Sequence, residues 1–186
     1  KTKYGSIARL DRILKAEGLS PDVYKLAKQA DTLMLFFNLN ADELAEIFED
    51  RIDKPVSNLL KKNFEYYYRR TSHGSTLSNV VHAQLAEELE DRELAWQLFQ
   101  TALGSDFDDI QGGTTAEGIH TGAMAGSVLL ALTAFAGINL KSNTVNIKPN
   151  LPESWNSMHF RFTFRGTGVE IIVYKDSINI KADKDI

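Results

Sequence analysis

Apolar residues recur at intervals of three and four through roughly the first 140 residues, the spacing that places them on one face of a helix. The clearest stretch follows Ser20 and Pro21, which supply an N-cap acceptor and a proline suited to a first helical turn. The pattern predicts one long helix there, with an apolar face of Val23, Leu26, Ala27, Ala30, Leu33, Met34 and Phe37. This part of the chain is therefore predicted to be helical.

The same spacing predicts further helices. Asn40 followed by Glu43 resembles a capping box for a short helix through about Asp50. Four more helices are expected, in roughly the segments 55–66, 80–89, 92–102 and 122–135. Short connections between such helices favour antiparallel pairs, and a few pairs alone form an open arc. The last helix contains small residues that let another backbone or a ligand come close, namely Gly122, Ala123, Ala125 and Gly126.

From about Lys141 the pattern changes to alternation, which is typical of half-buried strands. Strands are predicted around Val145 and Ile147, at Phe160–Phe164, at Val169–Tyr174 and at Ser177–Ile180. A sheet of so few strands has one apolar face that needs a covering layer, and we expect something other than these strands to provide it. The fold class is therefore mainly α with a β tail, divided into a helical part, 1–140, and a small antiparallel sheet domain, 141–186.

The composition of the chain excludes several classes of protein. With 186 residues, 43% hydrophobic and 25% charged, the chain can bury a core, and it has no cysteine and a net charge of -4. A disulfide framework, a thiolate nucleophile and a basic nucleic-acid footprint are therefore excluded. The run from Val128 to Ala136 is too short to span a membrane. Because the chain begins at Lys1 without a methionine, we expect it to be part of a longer protein.

Three polar clusters interrupt the helical pattern. Lys28 and Gln29 lie inside the predicted long helix, where they form either a solvated face or a site for sugar hydroxyls. The second cluster runs from Arg70 to Ser78 at a predicted helix start, with His73, Ser75 and Thr76 close together. Adjacent hydroxyls at a helix N-terminus suit an anion, whereas plain N-capping by Ser75 or Thr76 is the simpler alternative.

A third cluster, 111–120, combines glycines and threonines with Glu117 and His120. His120 either contacts a ligand or is a hydrogen-bonded structural histidine, and His82 and His159 are assigned to the structural class. The histidine spacing does not suit a metal, and neither a Ser-His-Asp order nor a phosphate-loop lysine motif is found. Residue chemistry alone therefore points to a polyol site beside an anion site.

At these positions the sequence resembles glycoside hydrolase family 65, whose members are phosphorylases and hydrolases of α-glucosidic disaccharides such as maltose, trehalose and kojibiose. The matching segments are KQADTLML at 28–35, YYYRRTSHGSTLS at 66–78, VHAQLAEEL at 81–89, DFDDIQGGTTAEGIHTGAMAGS at 106–127 and PNLPESW at 149–155. Together they cover essentially the whole chain.

The resemblance implies the last helices of an (α/α)6 barrel over 1–140, followed by the family's carboxy-terminal β domain over 141–186. It implies that Lys28 and Gln29 bind glucose. It also implies that phosphate is bound by His73, Ser75, Thr76 and His120. Where this chain has Ser75-Thr76, the family's phosphorylases usually have two serines, so the hydroxyls are retained with one added methyl group.

The family's general acid is a glutamate upstream of the first matching segment, and it has no counterpart in this chain. No catalytic residue is therefore expected here, and the isolated chain should be inactive. The expected partners are an α-linked glucose disaccharide, phosphate as co-substrate rather than a cofactor or metal, and the missing amino-terminal part of the same enzyme. A homodimer and a cytoplasmic location are further expectations. Neither a nucleic acid nor a membrane is expected as a partner. A non-catalytic carbohydrate-binding module is the alternative, and the second sugar and the choice of phosphate or water as nucleophile stay open.

Overall fold

The computed structural model describes residue 3 and residues 9–39, 41–48, 55–108, 118–140 and 144–184, to which every structural statement below refers. These residues form two compact units, Lys1–Val128 and Leu129–Ile186. The first unit is helical, and the second contains all the strands. The predicted fold class, mainly α with a β tail, is confirmed.

Most of the predicted helices are present. Their bounds are α1 Leu10–Ala16, α2 Asp31–Asn38, α3 Ala41–Phe48, α4 Val56–Tyr68, α5 Thr76–Glu88, α6 Arg92–Gly104 and α7 Thr121–Leu130, which continues as a π-helical turn, Ala131–Phe135. Asp91 caps α6, because its Oδ1 accepts a hydrogen bond of 3.2 Å from the Leu94 amide. The helix α1 was not predicted, and the predicted capping residue Asn40 lies outside the described residues.

The core of the helical unit follows the apolar spacing of the sequence. It is formed by residues of α2 to α6 and the residue before α2: Ala30, Leu33, Phe36, Leu44, Leu60, Phe64, Val81, Leu85, Ala86 and Ala95. Leu33 and Leu85 have no exposed surface at all. Burying each such leucine contributes about 1.5–3 kcal/mol relative to leaving it in water. The core therefore packs α2, α3, α4, α5 and α6 together.

The predicted long helix after Pro21 is wrong. Ser20 Oγ does accept the Asp22 amide at 3.2 Å, but the turn that it caps is a short 3-10 helix, Pro21–Val23. The following backbone pairs instead with a distant loop, since the Ala27 amide donates to the Arg70 carbonyl at 2.9 Å and the Ser72 amide donates to the Ala27 carbonyl at 2.8 Å. These groups cannot also make helical hydrogen bonds. A helix resumes only at Asp31.

The second unit contains two small antiparallel sheets. A two-stranded sheet pairs β1 Ile138–Asn139 with β2 Asn146–Ile147. A three-stranded sheet has the order β3-β4-β5, with β3 Ser157–Phe164, β4 Thr167–Tyr174 and β5 Ile178–Ala182. The strands predicted by alternation are confirmed, and only β1 was not predicted.

The apolar face of the three-stranded sheet is covered from within its own unit. Ala136, Ile138 and the half-buried Leu151 pack with Ile171 and Val173 into one core. The expectation that the cover lies elsewhere is therefore corrected, because the chain between α7 and β3 folds back over the sheet. Its outward face is polar, where Glu170 Oε1 accepts from His159 and Arg161 side chains at 2.8 and 2.7 Å.

Two glycines with left-handed backbone test the packing of this unit. Gly137 has φ 67° and Gly166 has φ 78°, but a methyl group on Gly137 would overlap the Lys148 carbonyl, whereas open space surrounds Gly166. Gly166→Ala should cost only the backbone strain, about 1–2 kcal/mol. Gly137→Ala should cost in addition about 1–3 kcal/mol for overpacking.

Thermal unfolding of the protein that carries each substitution measures this difference. The melting temperature should fall clearly further for Gly137→Ala than for Gly166→Ala. Equal losses would contradict the close approach of Gly137 to Lys148.

Candidate functional site

The backbone joins the first two polar clusters. Besides the two hydrogen bonds of Ala27, the Gly74 amide donates to the Lys28 carbonyl at 3.0 Å. Ala27 and Thr71 form a parallel bridge as a result. Lys28 and Gln29 are therefore adjacent to the loop that carries His73, Ser75 and Thr76, although the sequence analysis placed them in a helix.

Close approach at Gly74 is part of this arrangement. A methyl group on Gly74 would lie 2.8 Å from Lys28 Cγ and 3.5 Å from Lys28 Cε, so the lysine side chain runs directly over the glycine. Lys28 and Gln29 are exposed, and Gln29 Nε2 donates to Asp31 Oδ1 at 3.1 Å. Lys28 and Gln29 thus expose polar groups to solvent beside the loop at 70–74.

Arg9, which lies near the start of the chain, makes hydrogen bonds to the same loop. Its amide donates to the Ser72 carbonyl at 3.2 Å, and its Nη1 donates to the Gly74 carbonyl at 3.4 Å. A role for Arg9 was not predicted, because nothing in the local sequence pattern distinguishes it from an ordinary surface arginine. It holds the loop in place through the backbone.

Ser75 and Thr76 stand at the start of α5. Ser75 is the N-cap residue with extended backbone, φ -126° and ψ 136°, and its side chain makes no capping hydrogen bond. Thr76 is the first helical residue and is 6% exposed. The simple N-capping alternative is therefore not realised by Ser75, whose half-buried hydroxyl lies at a helix end that favours anions through its N–H groups and dipole.

The half-buried ring of His73 packs against the buried ring of His82. Their ring centres are 4.9 Å apart, and Tyr68 packs against both at 6.1 and 6.0 Å. Burial, and then the neighbouring His82, lowers the pKa of His73 to about 4. His73 is therefore neutral near pH 7, and it contributes hydrogen bonds rather than charge.

His120 is fixed by a carboxylate that sequence reasoning missed. Asp106 Oδ1 lies 2.5 Å from His120 Nδ1, and Asp106 Oδ2 accepts the His120 amide at 2.6 Å. Burial pushes the pKa of Asp106 upward, but the hydrogen bonds from the His120 side chain and amide outweigh it, so the pKa lies below its usual value. Asp106 stands first in the DFDD segment, where the carboxylates look alike in sequence.

His120 directly precedes α7, which packs on α5. A methyl group on Gly126 of α7 would lie 3.0 Å from Val80 Cγ1 of α5, so this glycine permits the close approach expected of the small-residue stretch. Gly122 meets nothing comparable. In the described part of the chain, the His120 side chain bonds Asp106 and no residue of the 73–76 loop. Glu117 and the rest of 109–117 lie outside the described residues.

A shallow, open depression lies beside the joined clusters. It is lined mainly by apolar side chains with three polar ones: Gln29, Ala30, Met34, Leu77, Ser78, Val81 and His82. Across the described ranges no group of three or more His, Asp or Glu side chains is placed to hold a metal ion. What the described residues provide is the exposed side chains of Lys28 and Gln29, which can hydrogen-bond hydroxyl groups, beside the N-terminus of α5.

Two family profiles match the chain. Residues 1–129 match the profile described as "Glycosyl hydrolase family 65 central catalytic domain", and residues 138–185 match "Glycosyl hydrolase family 65, C-terminal domain". The chain belongs to glycosyl hydrolase family 65. The resemblance noted from the sequence motifs is thereby confirmed.

Relatives of the chain include proteins named as phosphorylases. The chain is 44% identical over its whole length to a trehalose 6-phosphate phosphorylase from Lactococcus lactis, of which it covers 24%. It is 28% identical over 83% of its length to an α,α-trehalose phosphorylase from Thermoanaerobacter brockii, of which it covers 18%. A solved structure, a putative kojibiose phosphorylase from human microbiome, matches 86% of the chain with a TM-score of 0.67 and 28% identity.

The chain spans about a quarter or less of each of these relatives, 24%, 18% and 20% of their lengths. Its two parts match the catalytic and the carboxy-terminal domains of the family in that order. None of the described helices is both long and apolar enough to cross a membrane.

The Asp106–His120 pair gives a testable dependence on pH. Because the pKa of Asp106 is lower in the folded protein, the pair contributes stability above the carboxyl's ordinary value of 3.8 and loses it as the pH falls through the folded value. Asp106→Asn should therefore lower the melting temperature at pH 7, and the difference from the parent protein should shrink below about pH 4.

Melting temperatures measured from pH 7 downward check this, with Asp22→Asn, at an exposed carboxylate, as the matched control. A difference for Asp106→Asn that stays constant down to the lowest pH would contradict the pairing.

Proposed function

We propose that the protein containing this chain is a glycoside phosphorylase that cleaves an α-glucosidic disaccharide. In this proposal Lys28 and Gln29 bind the glucosyl unit, and the loop with His73, Ser75 and Thr76 binds phosphate together with His120. The observation that carries it is the backbone pairing of residues 27–28 with the loop at 70–74, because it brings Lys28 and Gln29 beside the N-terminus of α5. The family membership of the chain supports the same assignment.

Phosphorolysis requires groups that hold the attacking phosphate and a group that protonates the leaving oxygen. A phosphate oxygen attacks the anomeric carbon of glucose while the bond from that carbon to the bridging oxygen breaks, and a general acid protonates the departing oxygen. In this proposal the residues of this chain bind the attacking phosphate. Hydroxyls, a helix N-terminus and a neutral His73 stabilise the phosphate as donors, and the Asp106 carboxylate orients His120. The general acid is expected outside this chain.

Trehalose 6-phosphate is the substrate that we propose first. The chain is 44% identical to the trehalose 6-phosphate phosphorylase, against 28% for the trehalose phosphorylase and 28% for a kojibiose phosphorylase from Halothermothrix orenii. Phosphate transfer to the unphosphorylated glucosyl unit would yield glucose 1-phosphate and glucose 6-phosphate.

Product analysis of the full-length protein tests this function. Incubated with trehalose 6-phosphate and inorganic phosphate, it should release equal amounts of glucose 1-phosphate and glucose 6-phosphate, and neither without phosphate. Trehalose, kojibiose and maltose serve as competing substrates. Free glucose released without phosphate would instead indicate hydrolysis, and absence of turnover on all four sugars would contradict the proposal.

Truncation of His120 tests the phosphate site. His120→Ala should raise the KM for phosphate about tenfold, because a charge-assisted hydrogen bond contributes about 1.5–3 kcal/mol. The KM for the disaccharide should change less than twofold. Initial rates at varied phosphate concentration measure the effect.

His159→Ala is the matched control, since His159 also pairs with a carboxylate but lies on the outward face of the β3-β4-β5 sheet. An unchanged phosphate saturation curve for His120→Ala would contradict the assignment of His120.

A further inference from the structure

Gly74 occupies a position at which the backbone does not need glycine. Its φ lies outside the left-handed range, unlike the φ angles of Gly118, Gly137 and Gly166. A residue with a side chain could therefore adopt the same φ without strain. Gly74 is also buried, in the loop that precedes α5. The reason for a glycine here therefore lies in the space around it.

The space that a side chain would need is taken up by Lys28. A methyl group on Gly74 would meet Lys28 Cγ at 2.8 Å, a distance that real side-chain contacts essentially never show. The next atoms, Lys28 Cε and Ser72 Oγ, would lie at 3.5 and 3.6 Å, which are ordinary van der Waals contacts. Of these three neighbours, only Lys28 Cγ would have to move.

The backbone of Lys28 is held against the same loop. The Gly74 amide donates to the Lys28 carbonyl at 3.0 Å, and the preceding residue, Ala27, is hydrogen-bonded to Arg70 and Ser72 at 2.9 and 2.8 Å. Moving this segment would leave backbone groups without partners, which is unfavourable. The crowding would therefore be relieved by the side chain of Lys28 rather than by its backbone.

A rotation at the base of the Lys28 side chain moves its far end most. Cγ is the first atom whose position depends on χ1, so it can leave the methyl group only if χ1 changes. Every later atom turns with it, and the ammonium lies at the end of the chain. Because Lys28 is exposed, solvent gives room for other rotamers. A methyl group at position 74 would thus redirect the ammonium while the backbone pairing stays intact.

We propose that Gly74 is a positioning residue for Lys28: because it has no side chain, the Lys28 stem can cross the loop, and the ammonium is placed where it binds the glucosyl unit. The inference rests on the proposed function for the ligand of Lys28. In this arrangement the loop that carries the proposed phosphate-binding residues also determines the course of the sugar-binding lysine.

Kinetics of the full-length protein test this role. We expect Gly74→Ala to raise the KM for the disaccharide about tenfold, because a hydrogen bond from a charged group is weakened. The KM for phosphate should change less than twofold, because the backbone of the loop stays in place. A KM for the disaccharide within twofold of the parent value, or a larger rise in the KM for phosphate, would overturn the inference.

A double variant shows whether Gly74 acts through Lys28. Lys28→Ala removes both Cγ and Cε, the two lysine atoms that a methyl group on Gly74 would approach. Lys28→Ala alone should raise the KM for the disaccharide at least tenfold, and adding Gly74→Ala should raise it less than twofold further. If the two effects multiply instead, Gly74 acts independently of Lys28 and the inference is wrong.

Melting temperatures give a readout that does not depend on turnover. With Lys28 in place, Gly74→Ala should lower the melting temperature, because the methyl group displaces the lysine stem. In the Lys28→Ala background the same substitution should no longer lower it, since the space is vacated and alanine loses less chain entropy than glycine on folding. An equal decrease in both backgrounds would contradict the close contact between Gly74 and Lys28.

Gly166→Ala is the control for a loss of stability alone. Open space surrounds Gly166, which lies between β3 and β4, so its substitution strains the backbone without touching Lys28. Both KM values should be unchanged. Failure of the proposed function has a separate signature: absence of phosphate-dependent turnover, or an unchanged KM for Lys28→Ala, contradicts that function, whereas the melting temperatures still decide whether Gly74 sets the course of Lys28.

Discussion

The site depends on the backbone pairing of residues 27–28 with the loop at 70–74. Each of these hydrogen bonds replaces one that a helix would have made, so the segment exchanges local structure for a contact distant in sequence. The exchange places Lys28 and Gln29 beside His73, Ser75 and Thr76. Gly74 permits the close passage of Lys28, and Arg9 binds the same loop through two carbonyls.

The electrostatics of the site rely on hydrogen-bond donors more than on charged histidines. The His73 ring is neutral and half-buried, and its Nδ1 lies 3.0 Å from the Ser78 hydroxyl oxygen. The His120 ring is partly exposed, and its Nδ1 contacts the Asp106 carboxylate. An anion at the start of α5 would thus meet hydroxyls and a helix dipole, with Lys28 as the nearby positive charge.

Periodicity predicted the elements that are stabilised by their own apolar faces. The helices α4, α5 and α6 and the strands β3 and β4 are of this kind, since each packs one face into a core. The segment after Pro21 was predicted wrongly, because its backbone hydrogen-bonds to the loop at 70–74, which lies far away in sequence. The polar clusters were visible as interruptions, but their joining, the role of Asp106 and the buried contacts of His82 depend on tertiary structure.

A crystal structure of the full-length protein with glucose and phosphate tests the central claim most directly. The account predicts glucose in contact with Lys28 and Gln29, and phosphate within hydrogen-bond distance of the Ser75 and Thr76 hydroxyls. Electron density for either ligand at a place remote from these residues, with the pairing of 27–28 and 70–74 intact, would contradict the account.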